Sequence, residues 1–185
     1  MLHPLKPIWE LPIVGDLLYR IFWVTGWCLM CPISAILGGC QRLKFGTSVV
    51  WVTRQKSQVV QDGVELLQKR DPEMFSRFMG KQRLIIYYIP NRGTDRKANY
   101  RAFLMYDTFV NLGAEGVACF IVQSLMVSAA VGRVNPHRMD EQQNAALKSV
   151  SRNMMEWLSK NSFDAGLINA YQKVVERQAQ AALGP

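Results

Sequence analysis

The chain alternates between long apolar runs and mixed stretches, and the spacing inside each one predicts an element. Residues 11–40 read LPIVGDLLYRIFWVTGWCLMCPISAILGGC, with no formal charge between Ile21 and Leu37. With Leu17, Leu18 and Tyr19 added, this run approaches the ~20 residues that cross a bilayer as a helix. Asp16 and Arg20 stand four apart and pair at its entry. Pro32 kinks it or divides it, and Gly38 and Gly39 end it. The lead-in, MLHPLKPIWE, holds two prolines and places Trp9 where a membrane interface would accept it.

The middle is patterned differently. Val49, Val52, Val59, Val60, Val64 and Leu67 recur at roughly helical spacing, with the charges mostly on the other side. Asp71-Pro72 is a helix restart, with Asp as N-cap and Pro at the first position. A short helix follows to Gly80. RLIIYYIP suits a short strand or an interfacial segment, and PNRG is a turn. From Thr94 the pattern predicts one long helix running to Gly132. Its apolar part, Phe109–Val131, carries small residues at Gly113, Ala114, Ala118, Ser124 and Ser128, spaced so that membrane helices can approach closely. Glu115 lies about one turn inside and must be interfacial, paired or buried against protein. Two amphipathic helices close the chain, about Asp140–Ser159 and Phe163–Leu183. Their join, KNSFD, is short enough for an antiparallel hairpin.

The expected architecture is therefore all-α: an integral membrane protein with about two transmembrane or deeply embedded helices and a C-terminal amphipathic hairpin. Its divisions are 1–40, a lead-in and first membrane segment kinked at Pro32; 41–106, a basic helical region on the inner side; 107–132, the second membrane segment; and 133–185, the hairpin.

Charge gives this layout a direction. The net charge is +8 over 185 residues. Residues 1–40 balance two bases against two acids, 41–106 hold thirteen bases and five acids, and 107–185 hold seven of each. The whole excess lies in the middle. Inner-side loops are rich in Lys and Arg, so Arg42, Lys44, Arg54 and Lys56 beside the first segment, and Arg92, Arg96, Lys97 and Arg101 beside the second, are the residues expected to meet anionic lipid or partner subunits.

Chemistry is sparse. The stretch FWVTGWCLMCP resembles the thioredoxin pattern of an aromatic pair followed by Trp-Cys-x-x-Cys, with Pro90 after IIYYI as that family's second landmark. The resemblance implies a redox pair at Cys28 and Cys31. Leu and Met stand between the cysteines, however, no charge follows Cys31, and the run is apolar throughout. Packing is the simpler role. Two distant histidines, His3 and His137, and no second close cysteine pair give no metal site. No phosphate loop, nucleophile elbow or H-E-x-x-H occurs, so neither a cofactor nor an enzyme is expected. The basic middle also carries Trp51, Phe75, Phe78, Tyr87, Tyr88 and Tyr100, which would suit stacking on single-stranded RNA, although headgroup contact accounts for the same charges.

SVVWVT and YDTFVNLGAEGVACF resemble helices of the mitochondrial fission process protein family in two short patches. The later apolar helices and the His-Pro end of that family have no counterpart, and the resemblance adds only a lean toward the mitochondrial inner membrane over a bacterial one. The expected function is a non-catalytic structural or accessory subunit of a larger membrane complex, respiratory, ATP-synthase-like or secretory, whose partners are other membrane subunits and anionic lipids. The alternatives are a basic helical protein binding RNA or a ribonucleoprotein, and a membrane thiol oxidoreductase using Cys28 and Cys31.

Overall fold

A computed structural model describes Leu17, Ile33 and residues 39–89, 102–131 and 140–173. The all-α expectation is overturned: these residues form a mixed α/β domain around a four-stranded sheet. The strands are β1 (Gln41–Phe45), β2 (Ser48–Val52), β3 (Ile85–Ile89) and β4 (Ala102–Tyr106). They lie in the order β1-β2-β3-β4, with β1 antiparallel to β2, and β2, β3 and β4 mutually parallel. The helices are α1 (Ser57–Arg70), α2 (Pro72–Ser76), α3 (Asp107–Val110), α4 (Gly113–Val131), α5 (Glu141–Lys160) and α6 (165–173). A 3-10 turn at Arg54–Lys56 leads into α1, and a single π turn at Arg77–Lys81 follows α2.

Two stretches expected as helix are strand, for different reasons. SVVWV is a continuous apolar run, and periodicity alone does not separate a buried strand from a buried helix. What decides it is the preceding Phe45-Gly46-Thr47-Ser48, which closes a two-residue hairpin. Gly46 has φ +55, the backbone that the first position of such a turn requires. A Cβ there would stand 1.9 Å from Met79 O, so the turn also needs glycine to seat against the π segment. Thr47 N–H donates to Met79 O at 2.7 Å. Ser48 is the buried peg beside it: its hydroxyl lies within donating range of Phe78 O (2.6 Å) and Gln82 O (3.1 Å) and accepts from Leu84 N–H (3.1 Å).

The second stretch, AFLMY, is composed mostly of good helix formers. Its partner overrides that preference. The β3–β4 ladder pairs Ile86 with Phe103 and Tyr88 with Met105, and Phe103 and Met105 become part of the core.

Strand alternation and register divide the sheet into two faces. On one, Val50, Val52, Ile86, Phe103 and Met105 join Val60, Val64 and Leu67 of α1 and the inner side of α4 in a single core. Arg42, Lys44, Val49, Trp51, Ile85, Tyr87 and Tyr106 occupy the other face.

α4 stands at the centre of the domain, packed on α1 and α5. It is long and apolar enough to cross a membrane by length and composition, yet half of its apolar window is buried inside the protein. A core helix surrounded by protein meets the same test as a spanning one, because both must be apolar on every side. Close approach to α1 depends on Gly63: a Cβ there would fall 2.6 Å from Val117 Cβ and 3.0 Å from Ala114 O.

The restart at Asp71-Pro72 is present, with Asp71 accepting from Met74 N–H at 3.0 Å. α5 opens on a capping box between Asp140 and Gln143. Val150, Met154, Trp157 and Leu158 form its buried stripe, and Leu167 and Tyr171 that of α6. The first membrane segment lies outside the described residues except for Leu17 and Ile33.

Gly63→Ala will lower stability despite gaining roughly 1 kcal/mol of helix propensity, because overpacking costs roughly 1–3 kcal/mol. Gly80→Ala, with no atom within 4 Å of its added Cβ, will change it by less than about 0.5 kcal/mol. Urea unfolding midpoints of the two variants are the measurement.

Candidate functional site at the basic end of the sheet

β1 and β2 are antiparallel, and Gln41 pairs with Val52. The first residue of β1 and the last of β2 therefore share one end of the sheet. β3 and β4 run with β2, so Ile89 and Tyr106, which pair with each other, finish at that same end. The apolar N-terminal run enters the domain here, through Gly39 and Cys40. Arg42 pairs with Trp51 one step in, and the turn Arg54–Lys56 follows Val52 directly. Arg42 and Arg54 are exposed and Lys56 is half-buried, its ammonium 3.5 Å from Asn111 Oδ1. Arg92 is three residues beyond the end of β3 in sequence.

Lys44 pairs with Val49 toward the opposite end of β1 and is exposed. Arg42 and Lys44 also have a structural use: β1 is an edge strand, and charged side chains on an edge discourage pairing with another chain. Arg92, Arg96, Lys97 and Arg101 lie outside the described residues, as do Cys28 and Cys31.

The small residues expected to pack helices are all on α4. Ala118 and Ser124 are buried, and Gly113, Ala114 and Ser128 half-buried. Ala114 is the one that meets Gly63 of α1. Ser124 donates to Phe120 O within the helix.

A second polar feature at this end escaped sequence reading. The Tyr88 hydroxyl donates a hydrogen bond to the Asp107 carboxylate. Partial burial, and then that hydrogen bond and the carboxylate's charge, push the Tyr88 phenol up to about 12. The available signal was Asp107 itself, an acid directly after a strand and at the first turn of a helix.

Glu115, left open between three environments, is paired. Arg70 Nη2 donates to its Oε1 at 2.8 Å. Arg70 Nη1 lies 3.3 Å from the carbonyls of both Asn161 and Ser162, and the guanidinium stands 4.3 Å over the Phe163 ring. Next to it, Asp71 accepts from Trp157 Nε1 at 2.8 Å while capping α2.

Of the aromatics considered for stacking on RNA, Phe78 and Tyr87 are buried and Trp51, Phe75 and Tyr88 half-buried; Tyr100 lies outside the described residues. The Cys119 thiol is buried in α4, and burial pushes it well above the ordinary thiol range. Burial, with Cys119 nearby, likewise raises Tyr171, whose hydroxyl has no partner among the described residues. No group of three His, Cys, Asp or Glu converges among the described residues. No protein-family model matches the chain, and no curated protein or solved structure matches it.

Two measurements follow from this geometry. Asp71→Ala removes a cap worth roughly 1 kcal/mol and strands the Trp157 N–H at roughly 1–3 kcal/mol. It will destabilise by roughly 2–4 kcal/mol, whereas Asp71→Asn, which keeps one of the two acceptor oxygens and can serve Met74 N–H or the indole but not both, will lose less than Asp71→Ala does. The raised Tyr88 phenol favours the protonated folded state: its contribution is complete below pH 10 and fades as pH rises toward 12. Tyr88→Phe will flatten the fall in urea midpoint over that window.

Proposed function

We propose that this chain is a non-catalytic structural or accessory subunit of a larger membrane complex. Its α/β domain is held at the inner, anionic membrane surface by the apolar N-terminal run and by the basic end of the sheet. The register that puts Gln41 beside Val52 carries this reading. It gathers Arg42, Arg54 and Lys56 where an apolar run of bilayer-like length joins the domain, the arrangement that attracts anionic headgroups.

Two further observations support it. The exposed large hydrophobic side chains among the described residues, Leu17 (57%) and Ile33 (49%), both belong to that run. And where polar side chains converge inside the domain, Arg70 binds Glu115 and the carbonyls of Asn161 and Ser162, and Asp71 binds the indole of Trp157. Such a network fixes a shape for partners to dock on. α4 takes the role of a core helix in this reading.

Each basic residue at a membrane surface is worth roughly 1 kcal/mol, or about fivefold in partition. Arg42→Glu, Arg54→Glu and Lys56→Glu will each weaken binding to vesicles containing phosphatidylserine by at least that factor. The effect will shrink as salt is raised. Lys148→Glu, exposed on α5, will leave binding unchanged. In cells the chain should stay in the pellet on carbonate extraction and co-purify with other membrane proteins in mild detergent. A monomer that runs alone, or release by ribonuclease, would sink the proposal.

A further inference from the structure

Among the described residues β1 ends the sheet on one side, with β2 as its strand neighbour. Opposite residues of an antiparallel pair alternate between bonding each other and turning their N–H and C=O outward. The two-residue turn at Gly46-Thr47 makes Phe45 and Ser48 a bonded pair. Lys44 and Val49, one step in, are then an unbonded pair. The far side of the ladder agrees: Val49 N–H donates away from β1, to Leu84 O at 2.9 Å. The backbone of Lys44, and by alternation that of Arg42, therefore faces away from β2. Leu43, between them, directs its groups to Val50.

The outer edge of β1 thus offers the N–H and C=O of Arg42 and of Lys44 to a further strand. The two side chains are exposed, cationic and on one face of the sheet. Charges on an edge turn away a neutral or basic strand. They also act as a filter, because a strand with acids at the facing positions gains a cross-strand ion pair at each. On the opposite face Leu43 and Phe45 are half-buried against the core. The position between the two acids falls beside Leu43 and favours an apolar side chain.

The complementary sequence is acid–apolar–acid in extended form, and this chain does not supply it. Among its fourteen acids the pair two residues apart is Asp71 and Glu73. Both lie at the start of α2, where Asp71 holds Met74 N–H and the Trp157 indole. A second copy adding its own β1 would set like charges opposite each other.

We propose that the outer edge of β1 docks an extended acidic segment of a partner protein, which joins the sheet as a further strand and sets carboxylates two residues apart against Arg42 and Lys44. Main-chain bonds supply the affinity and the alternating side chains the selectivity. The inference rests on the accessory-subunit reading above and names how one partner is held. Lys44 separates this surface from the lipid-facing one, since it stands toward the opposite end of β1 from Arg54 and Lys56.

The probe is a fluorescent peptide, Ser-Val-Glu-Val-Glu-Val-Thr, titrated against the full-length chain in neutral detergent without anionic lipid. Anisotropy will show saturable binding, roughly tenfold tighter than for peptides with Lys in place of both Glu or with the two Glu adjacent. Lys44→Glu will weaken it roughly tenfold and Lys44→Gln by less. Lys44→Pro removes an N–H that faces outward and keeps the ladder to β2. It will weaken binding roughly fivefold beyond Lys44→Gln, with circular dichroism checking that it folds. Amide exchange on the unaltered chain reads the same contact without a variant: the peptide will slow exchange at Arg42 and Lys44 more than at Leu43. Equal binding of the three peptides, exchange unchanged at Arg42 and Lys44, or a folded proline variant no weaker than Lys44→Gln, as a headgroup that needs only charge would give, overturns the inference. Its failure leaves vesicle binding standing, and failure of vesicle binding leaves the peptide result standing.

Discussion

Two adjacent residues at the end of α1 hold four helices and a turn together. Arg70 reaches Glu115 on α4, the carbonyls that close α5 and the ring of Phe163; Asp71 caps α2 and holds the indole of Trp157 on α5. The ion pair with Glu115 is about two-thirds buried, and a pair with that much access to water contributes only around 1 kcal/mol. What makes the junction consequential is convergence. The two carbonyls just past the end of α5 and the indole N–H of Trp157 each need a partner, and this one corner supplies one to each. The helical layer is positioned on the sheet from that corner and from the glycine contact between α1 and α4.

Local chemistry was legible in the sequence where it is short-ranged. Asp71-Pro72 and the Asp140 start of α5 depend on residues within a turn of one another, and IIYYI, open between a short strand and an interfacial segment, is strand β3. The sheet was not legible, because its deciding partners are remote. Ser48 is buried by groups thirty and more residues away, and Ala102–Tyr106 becomes a strand because β3 is waiting beside it. Of the two patches likened to helices of the fission process family, Ser48–Val52 is strand β2 for the same reason, whereas the second is helical past Tyr106, in α3 and α4.

The candidate site divides along the same line. That Arg42, Arg54 and Lys56 are basic and close to the apolar run was visible; that an antiparallel pairing brings all three to one end of a sheet was not. Glu115 shows the limit from the other side. Its sequence environment allowed three explanations, and the choice among them rested on Arg70, which is forty-five residues distant. α4 reads as a membrane segment in sequence because a helix enclosed by protein and one enclosed by lipid obey the same demand for apolar residues on every side, and half of its apolar window is buried inside the protein.

The strand order has a consequence for how the protein is made. Chains emerge from the ribosome N-terminus first, and the sheet is laid down in the order of its sequence, β1 to β4. When β2 has emerged, the domain is only a two-stranded hairpin, which is marginal in water, and the helices that will cover it do not yet exist. Val50 and Val52 are thus made well before the residues that bury them, and they stay uncovered until α1 and then α4 have followed.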